Sequence, residues 1–253
     1  MLGFLSPPSG HSPNADDLNT LYWVMLVIGV LLLVAINGAL IALAMRFRSA
    51  RGREPRRLKI RRPAQFGAAG AFAVLAFVVF VLGVIVTHDA KQIEATGSNG
   101  LHGSSVLTAQ RSLTLPAVSA QSAPLEIMAC GQQWIWRYEY PDGTYSYYEL
   151  VVPVDTAVIL DLCSTDVVHR WWVPGLSGKF DATPGASNST WFKADEEGVY
   201  DGASYAFSGA SYAAMRTRVR VVDVPTYQSW LEQQAAGIQS AQDFVQQVNG
   251  ETG

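Results

Sequence analysis

Two segments of this chain carry side chains able to do chemistry at a metal. In DVVHRWWVPG, Asp166 to Gly175, His169 supplies an imidazole; in YDGASYAFSGASYAAM, Tyr200 to Met215, Met215 supplies a thioether. Imidazole and thioether are both ligands for copper, the thioether suiting Cu(I) in particular. The second segment is punctuated by glycine as a metal-binding loop is, yet it holds no Cys, no His and a single carboxylate, Asp201. What it offers besides is hydroxyls, those of Ser204, Ser208 and Tyr212 among them. A serine hydroxyl is not ionised near neutral pH and is a poor donor to Cu(I). Two readings stand: a mononuclear copper site on His169 and Met215, or two satisfied core residues.

These segments need elements to position them, and the chain supplies two kinds. Leu21 to Met45 contains no charge over 25 residues, about 37 Å of helix. Phe66 to Thr87 is a second uncharged run of 22 residues, about 33 Å. Each exceeds the ~30 Å hydrocarbon core of a bilayer, and neither has the polar face of a soluble helix. A transmembrane hairpin over 21–87 is expected, with spans 21–45 and 66–87. The loop 46–65 contains nine of the chain's 18 basic residues against one acid, Glu54. A short basic connection marks the cytoplasmic side, so both termini and everything after the second span are expected outside. That outer portion is acidic, with a net charge of about −9, which suits a solubilising surface or the steering of a basic redox partner. The position of the basic loop between two spans speaks for topology and contact with lipid, not for nucleic acid. Residues 1–20 lack a basic n-region followed by an apolar core, so they read as a polar external tail without a cleavable signal.

Residues 88–123 are rich in Ser, Ala, Gly and Thr and read as a linker. From 124 to 224 the pattern turns to short runs rich in Val, Ile, Tyr and Trp, bounded by Pro, Gly and Asp, as in an all-β sandwich. Residues 225–253 return to helix, with Tyr227, Trp230 and Leu231 on the side that packs against the sandwich. Cys130 and Cys163 are the only cysteines. A disulfide suits an oxidising compartment, and two buried thiols fit the sequence equally well.

A two-span hairpin followed by a Trp-rich β-domain resembles subunit II of the heme-copper terminal oxidases. GQQWIWRYEY, Gly131 to Tyr140, is similar to that family's aromatic run, and DVVHRWWVPGLSGKFDATPG, Asp166 to Gly185, resembles its DVIHSFWVPxLxxKxDAxPG. The resemblance implies a cupredoxin-like sandwich, which in the cytochrome c oxidases holds the binuclear copper centre CuA in a loop of the form CSEICGxxHxxM. Laid on that frame, the two cysteines become Ser204 and Ser208, the Glu becomes Ala206 and the His becomes Tyr212, while Met215 and the upstream His169 stay. GVYDGASYAFSGASYAAMR is closer to the loop GxYDGxSAxYSGxxFxxMK of the quinol-oxidising members, which lack CuA. The resemblance thus implies a subunit without a metal or cofactor of its own, its aromatic and hydroxyl side chains filling the space of copper and its ligands. Hemes and CuB would lie in subunit I, and subunit III would be a further partner. The site would be a prokaryotic plasma membrane, and quinol oxidation would be coupled there to oxygen reduction and proton translocation.

Two features point the other way. The aromatic run is more like that of the cytochrome c oxidases, and His169 is kept where quinol oxidases commonly lack it. In the cytochrome c enzymes the first Trp of the run is an electron-entry residue, which maps to Trp134; without CuA, a buried structural aromatic is the expectation. Cytochrome c therefore stays as the alternative donor, and a membrane-anchored binding or assembly module as the alternative function. Lys179 and Asp181 match a family segment facing subunit I and are read as an interface pair or a solvated turn. Gln65 sits near where many cytochrome c oxidases place a proton-uptake Glu, and it cannot titrate. Asn37, polar at bilayer depth, is expected to make an interhelical hydrogen bond.

Overall fold

A computed structural model of the chain describes residues 6–7, 9–46, 62–89, 93–94, 96–97, 99–101 and 124–251. Most of the basic loop and most of the linker lie outside these residues, as does the side chain of Gln65. The chain divides into two compact units, one formed by Met1–Asp16 with Ile93–Gly253 and the other by Asp17–Gln92.

The apolar runs form helices α1 (Pro13–Arg46) and α2 (Arg62–Asp89). Their apolar side chains are exposed on every side: Leu31, Leu33 and Val34 are 64, 62 and 64 % accessible, and Phe77 and Phe80 66 and 67 %. A soluble helix buries one such face; a helix without a polar face needs lipid or other helices. Helix α1 begins at Pro13, eight residues before the uncharged run. Proline suits the first helical position, where its missing N–H costs nothing, and Asp16 in the first turn complements the helix dipole. The polar tail expected over 1–20 is therefore partly helical. Ahead of it, the His11 N–H donates to Gly175 O (2.8 Å) and His11 O accepts from Asp195 N (3.2 Å). The side-chain amide of Asn37 donates to Leu33 O (2.8 Å), four residues back in its own helix. A short amide side chain can reach the preceding turn's carbonyl in this way.

The β-domain is a sandwich of two five-stranded sheets. One runs β3-β2-β1-β5-β8 and the other β4-β10-β9-β6-β7. The strands are β1 (Leu125–Gln132), β2 (Ile135–Glu139), β3 (Tyr145–Tyr147), β4 (Glu149–Pro153) and β5 (Ala157–Ser164). They continue with β6 (His169–Trp172), β7 (Phe180–Ala182), β8 (Asn188–Lys193), β9 (Gly198–Ser204) and β10 (Arg216–Val222). The long aromatic run is a hairpin, turning at Gln133 and Trp134 between β1 and β2. The next run breaks at Tyr148, whose φ of 67° lies outside the extended region. Strand β9 covers the start of the glycine-rich segment that reads as loop from sequence, because its Gly and Asp residues are poor strand formers. What holds it is pairing on both sides, to β10 and β6.

Inward residues of both sheets interdigitate, with Trp136, Tyr138, Leu150, Leu160, Trp171, Phe192 and Val219 fully buried. A polar thread crosses this core. Trp171 Nε1 donates to the Tyr138 hydroxyl (2.9 Å), which is hydrogen-bonded to Thr217 Oγ1. Buried aromatic N–H and O–H groups need such partners, and burial raises the Tyr138 phenol well above its ordinary range. Tyr140 is held likewise, its hydroxyl donating to Val151 O (3.0 Å) and accepting from Val151 N (2.9 Å). Helix α3 (Val224–Glu251) follows β10 and closes this end. Tyr227 is buried, and the Trp230 ring lies 5.1 Å from that of Tyr140, with Leu231 alongside.

Gly202 marks a close approach of strands. A Cβ there would lie 2.5 Å from Trp172 O and 2.6 Å from Val173 Cγ2, and the first of these is backbone that cannot swing aside. Gly202→Ala is expected to destabilise the domain by about 1–3 kcal/mol, read as a lower urea midpoint of the full chain; an unchanged midpoint would contradict this packing.

Candidate functional site

The candidate residues gather at one end of the sandwich, where the β1–β2 turn, the β5–β6 connection and the β9–β10 loop emerge. Strand pairing begins the assembly. Trp171 lies opposite Ser204 across β6 and β9, and His169 opposite Ala182 across β6 and β7. The Ser204 N–H donates to Met215 O (2.9 Å) and its hydroxyl accepts from Arg170 N (3.1 Å). His169, Ser204, Ser208 and Met215 are all buried.

Asp166 organises this end. Its Oδ2 accepts from Gln133 N (2.7 Å), while Oδ1 accepts from Val167 N (2.6 Å) and meets His169 Nε2 at 2.9 Å. Partial burial opposes the carboxylate charge, but the Gln133 amide, the His169 ring and the Val167 amide outweigh it and hold the carboxyl at about 2. An ionised carboxylate only accepts, so His169 presents N–H at Nε2 and, in the neutral ring, a lone pair at Nδ1. Among the described residues that Nδ1, which is buried, has no hydrogen-bond partner, and neither has Ser208 Oγ. The imidazole is packed at its back by Gly131, where a Cβ would lie 2.8 Å from His169 Cδ2, and meets Trp136 edge-on at 6.0 Å.

The loop itself is tied to the β1–β2 turn. Ser208 O accepts from Gln133 Nε2 (2.6 Å) and from Trp134 Nε1 (3.1 Å). Gly209, with φ of 109°, lets the chain pass Gln133 and Trp134; a Cβ there would sit 2.9 Å from Gln133 Nε2. Ala206 supplies no side-chain donor. Tyr212 opens a single 3₁₀ turn, Tyr212–Ala214, that leads to Met215.

Two expectations need correction. Trp134 is 37 % accessible, so it is not a buried structural aromatic; its indole N–H is anchored to the loop while its ring reaches the surface. The fully buried Trp of the run is Trp136, since alternation along β2 turns that residue inward. Tyr212 is also 37 % accessible and packs against the exposed Phe207 ring at 5.2 Å. The loop aromatics Tyr205, Phe207 and Tyr212 therefore face outward and do not fill the space beside His169, whereas Ser204, Ser208 and Met215 are buried. Lys179 and Asp181 are not paired with each other. Asp181 binds Arg170 through two hydrogen bonds (2.5 and 3.0 Å), while the Lys179 ammonium lies 4.1 Å over the Trp172 ring. Both side chains remain at the loop end. Asn37 belongs to the other unit.

The positioning residues Asp166, Gln133 and Arg170 were not singled out from sequence. The available signal was the Asp three residues before His169, a spacing that lets a carboxylate reach the ring. The donor set does not fit a binuclear copper centre. It contains one free imidazole nitrogen, one thioether and neutral hydroxyls, with no thiolate to hold two metal ions together. Among the described residues no group of three or more His, Cys, Asp or Glu side chains could hold a metal ion.

Residues 146–222 match the family model described as cytochrome c oxidase subunit II, periplasmic domain. Similar proteins include the cytochrome c oxidase subunit 2 of Alkalihalophilus pseudofirmus, 34 % identical over 114 residues, or 45 % of this chain. This chain spans about a third of that relative's length. The cytochrome c oxidase subunit 2 of Thermostichus vulcanus is 28 % identical over 258 residues, covering 90 % of this chain and 78 % of the relative. Among solved structures, the periplasmic domain of subunit II of cytochrome oxidase from Bradyrhizobium japonicum is 32 % identical, covering 46 % of this chain and 96 % of that one, with a TM-score of 0.44.

The low carboxyl value of Asp166 has a consequence for acid stability. A carboxylate held at about 2 in the fold, against about 3.9 unfolded, stabilises fully above the unfolded value and loses that contribution as pH falls through the folded one. Urea midpoints measured from pH 7 to 2 are expected to fall for the native chain between about pH 4 and 2. Asp166→Asn should start lower at neutral pH and show a shallower acid slope; equal slopes would contradict the network.

Proposed function

We propose that this chain is a cytochrome c oxidase subunit II family member, subunit II of a heme-copper terminal oxidase that oxidises quinol and carries no CuA. Its cupredoxin-like sandwich and two apolar helices are those of a membrane-anchored subunit with a periplasmic domain. The observation that carries the proposal is the loop end itself: Ser204 and Ser208 are buried where sulfur ligands would be required, and Tyr212 faces outward. A hydroxyl cannot replace a thiolate as a bridge between two coppers. Electrons would then reach oxygen without passing through the β-domain. Hemes and CuB would reside in subunit I, with quinol oxidised at the membrane and protons translocated there. This chain would cap subunit I through the loop end that presents Lys179 and Asp181, with both termini outside a prokaryotic plasma membrane. Subunit III would complete the assembly.

One observation favours cytochrome c as the donor: the surface exposure of Trp134, which leaves its ring within reach of an external protein. The two donors separate in one experiment. Turnover of the purified complex is expected with a short-chain quinol and to be at background with reduced cytochrome c. Turnover with cytochrome c that falls at least tenfold in Trp134→Ala, with none from quinol, would overturn the proposal.

A further inference from the structure

Cys130 and Cys163 are opposite residues on neighbouring parallel strands, with Cα atoms 4.5 Å apart and joined as a disulfide. Strand alternation decides where the bond lies. On β1 the residues Ile127, Ala129 and Gly131 face inward, while Met128 and Gln132 are exposed; Cys130 shares the outward face and is half-buried. On β5 Leu160 and Leu162 face inward, and Cys163 is half-buried on the outward side with Asp161. The bond therefore sits on the outer surface of the sheet and not in the core.

Both strands are secured without it. β1 is paired with β2 on one side and β5 on the other, and β5 with β1 and β8. The β1–β5 ladder runs from Leu125 opposite Val158 to Gly131 opposite Ser164, so the disulfide occupies its penultimate position. Immediately beyond, the strands part into the two connections that build the loop end. Gly131 O accepts from Thr165 N at 3.3 Å, a long bond, and Gln133 N donates to Asp166 Oδ2. The same Gly131 backs the His169 ring, and Gln133 and Trp134 hold Ser208 O. The cross-link is thus a clamp at the root of the Trp134 and Asp166–His169 connections, on a sheet that does not need it to remain a sheet.

We propose that Cys130–Cys163 is an exchangeable disulfide, a site for an external dithiol, whose redox state sets how tightly these two connections are held. In the forward reaction a thiolate of the dithiol attacks one cystine sulfur, forming a mixed disulfide and releasing the other cysteine as a thiolate. The dithiol's second thiol then displaces the first cysteine. Two electrons and two protons pass to the chain, giving two thiols, and the dithiol leaves as a disulfide. Access opens a disulfide to this exchange, whereas buried structural ones resist it, and this one lies half-buried on an outer face of the sheet. The proposal stands apart from the donor question, since it concerns the sheet surface and applies to either electron donor.

The test uses the full chain purified in detergent, with dithiothreitol as the probe. Without denaturant, reduction followed by alkylation is expected to modify both cysteines while the far-ultraviolet spectrum is kept. Hydrogen exchange at the Gln133 and Thr165 amides should quicken on the order of tenfold, with amides at the centres of β8 and β10 unchanged. Cys130→Ser with Cys163→Ser should reproduce the fast exchange without reductant, and reoxidation of the native chain should reverse it. Alkylation only after denaturation, loss of the whole fold on reduction, or modification with unchanged exchange at both amides would each overturn the proposal.

Discussion

The loop end of this protein depends on one ionised carboxylate. Asp166 accepts hydrogen bonds from a backbone amide of the β1–β2 turn, from the backbone of its own connection and from His169. Remove the charge and the β1–β2 turn and the β5–β6 connection lose a common partner. Charge-assisted bonds of this kind are stronger than neutral ones, and half-buried geometry preserves them from full competition with water. The consequence reaches further than stability. By holding Nε2 of His169, Asp166 turns the ring's Nδ1 into the domain, and a carboxylate behind an imidazole is an arrangement that orients metal-ligating histidines.

How a cupredoxin-like sandwich keeps its shape at that end follows from where its polar groups find partners. The Trp171–Tyr138–Thr217 thread and the Tyr140–Val151 bonds join aromatic side chains to backbone and hydroxyl groups inside the core. The loop is held from outside by Gln133 and Trp134 and from β6 by the Arg170 amide on Ser204. Among the described residues Ser208 Oγ and His169 Nδ1 find no hydrogen-bond partner.

Much of this architecture was legible in the sequence, because the signals were long or chemically singular. Two uncharged runs exceeding the bilayer thickness, alternating β-branched and aromatic runs, and a His followed by a Trp-rich segment are each compatible with few folds. What was hidden depended on neighbours. The strand β9 is poor in strand formers and exists because β6 and β10 flank it. The breaks at Gln133 and at Tyr148 interrupt runs whose composition reads as continuous strand. Trp134 and Trp136 are two residues apart in one aromatic run; only the turn tells which reaches the surface. The outward orientation of Tyr212 is set by a 3₁₀ turn of three residues, too short to leave a periodic trace.

The central claim is that the donors at the loop end cannot hold a pair of copper ions. It is tested most directly by loading the purified full chain with copper under mild reductant, counting the tightly held metal and recording the near-infrared and electron paramagnetic resonance spectra. Fewer than two coppers per chain, with no near-infrared band and no signal from an electron shared between two coppers, is the predicted result. Two coppers per chain with a mixed-valence signal would contradict the account.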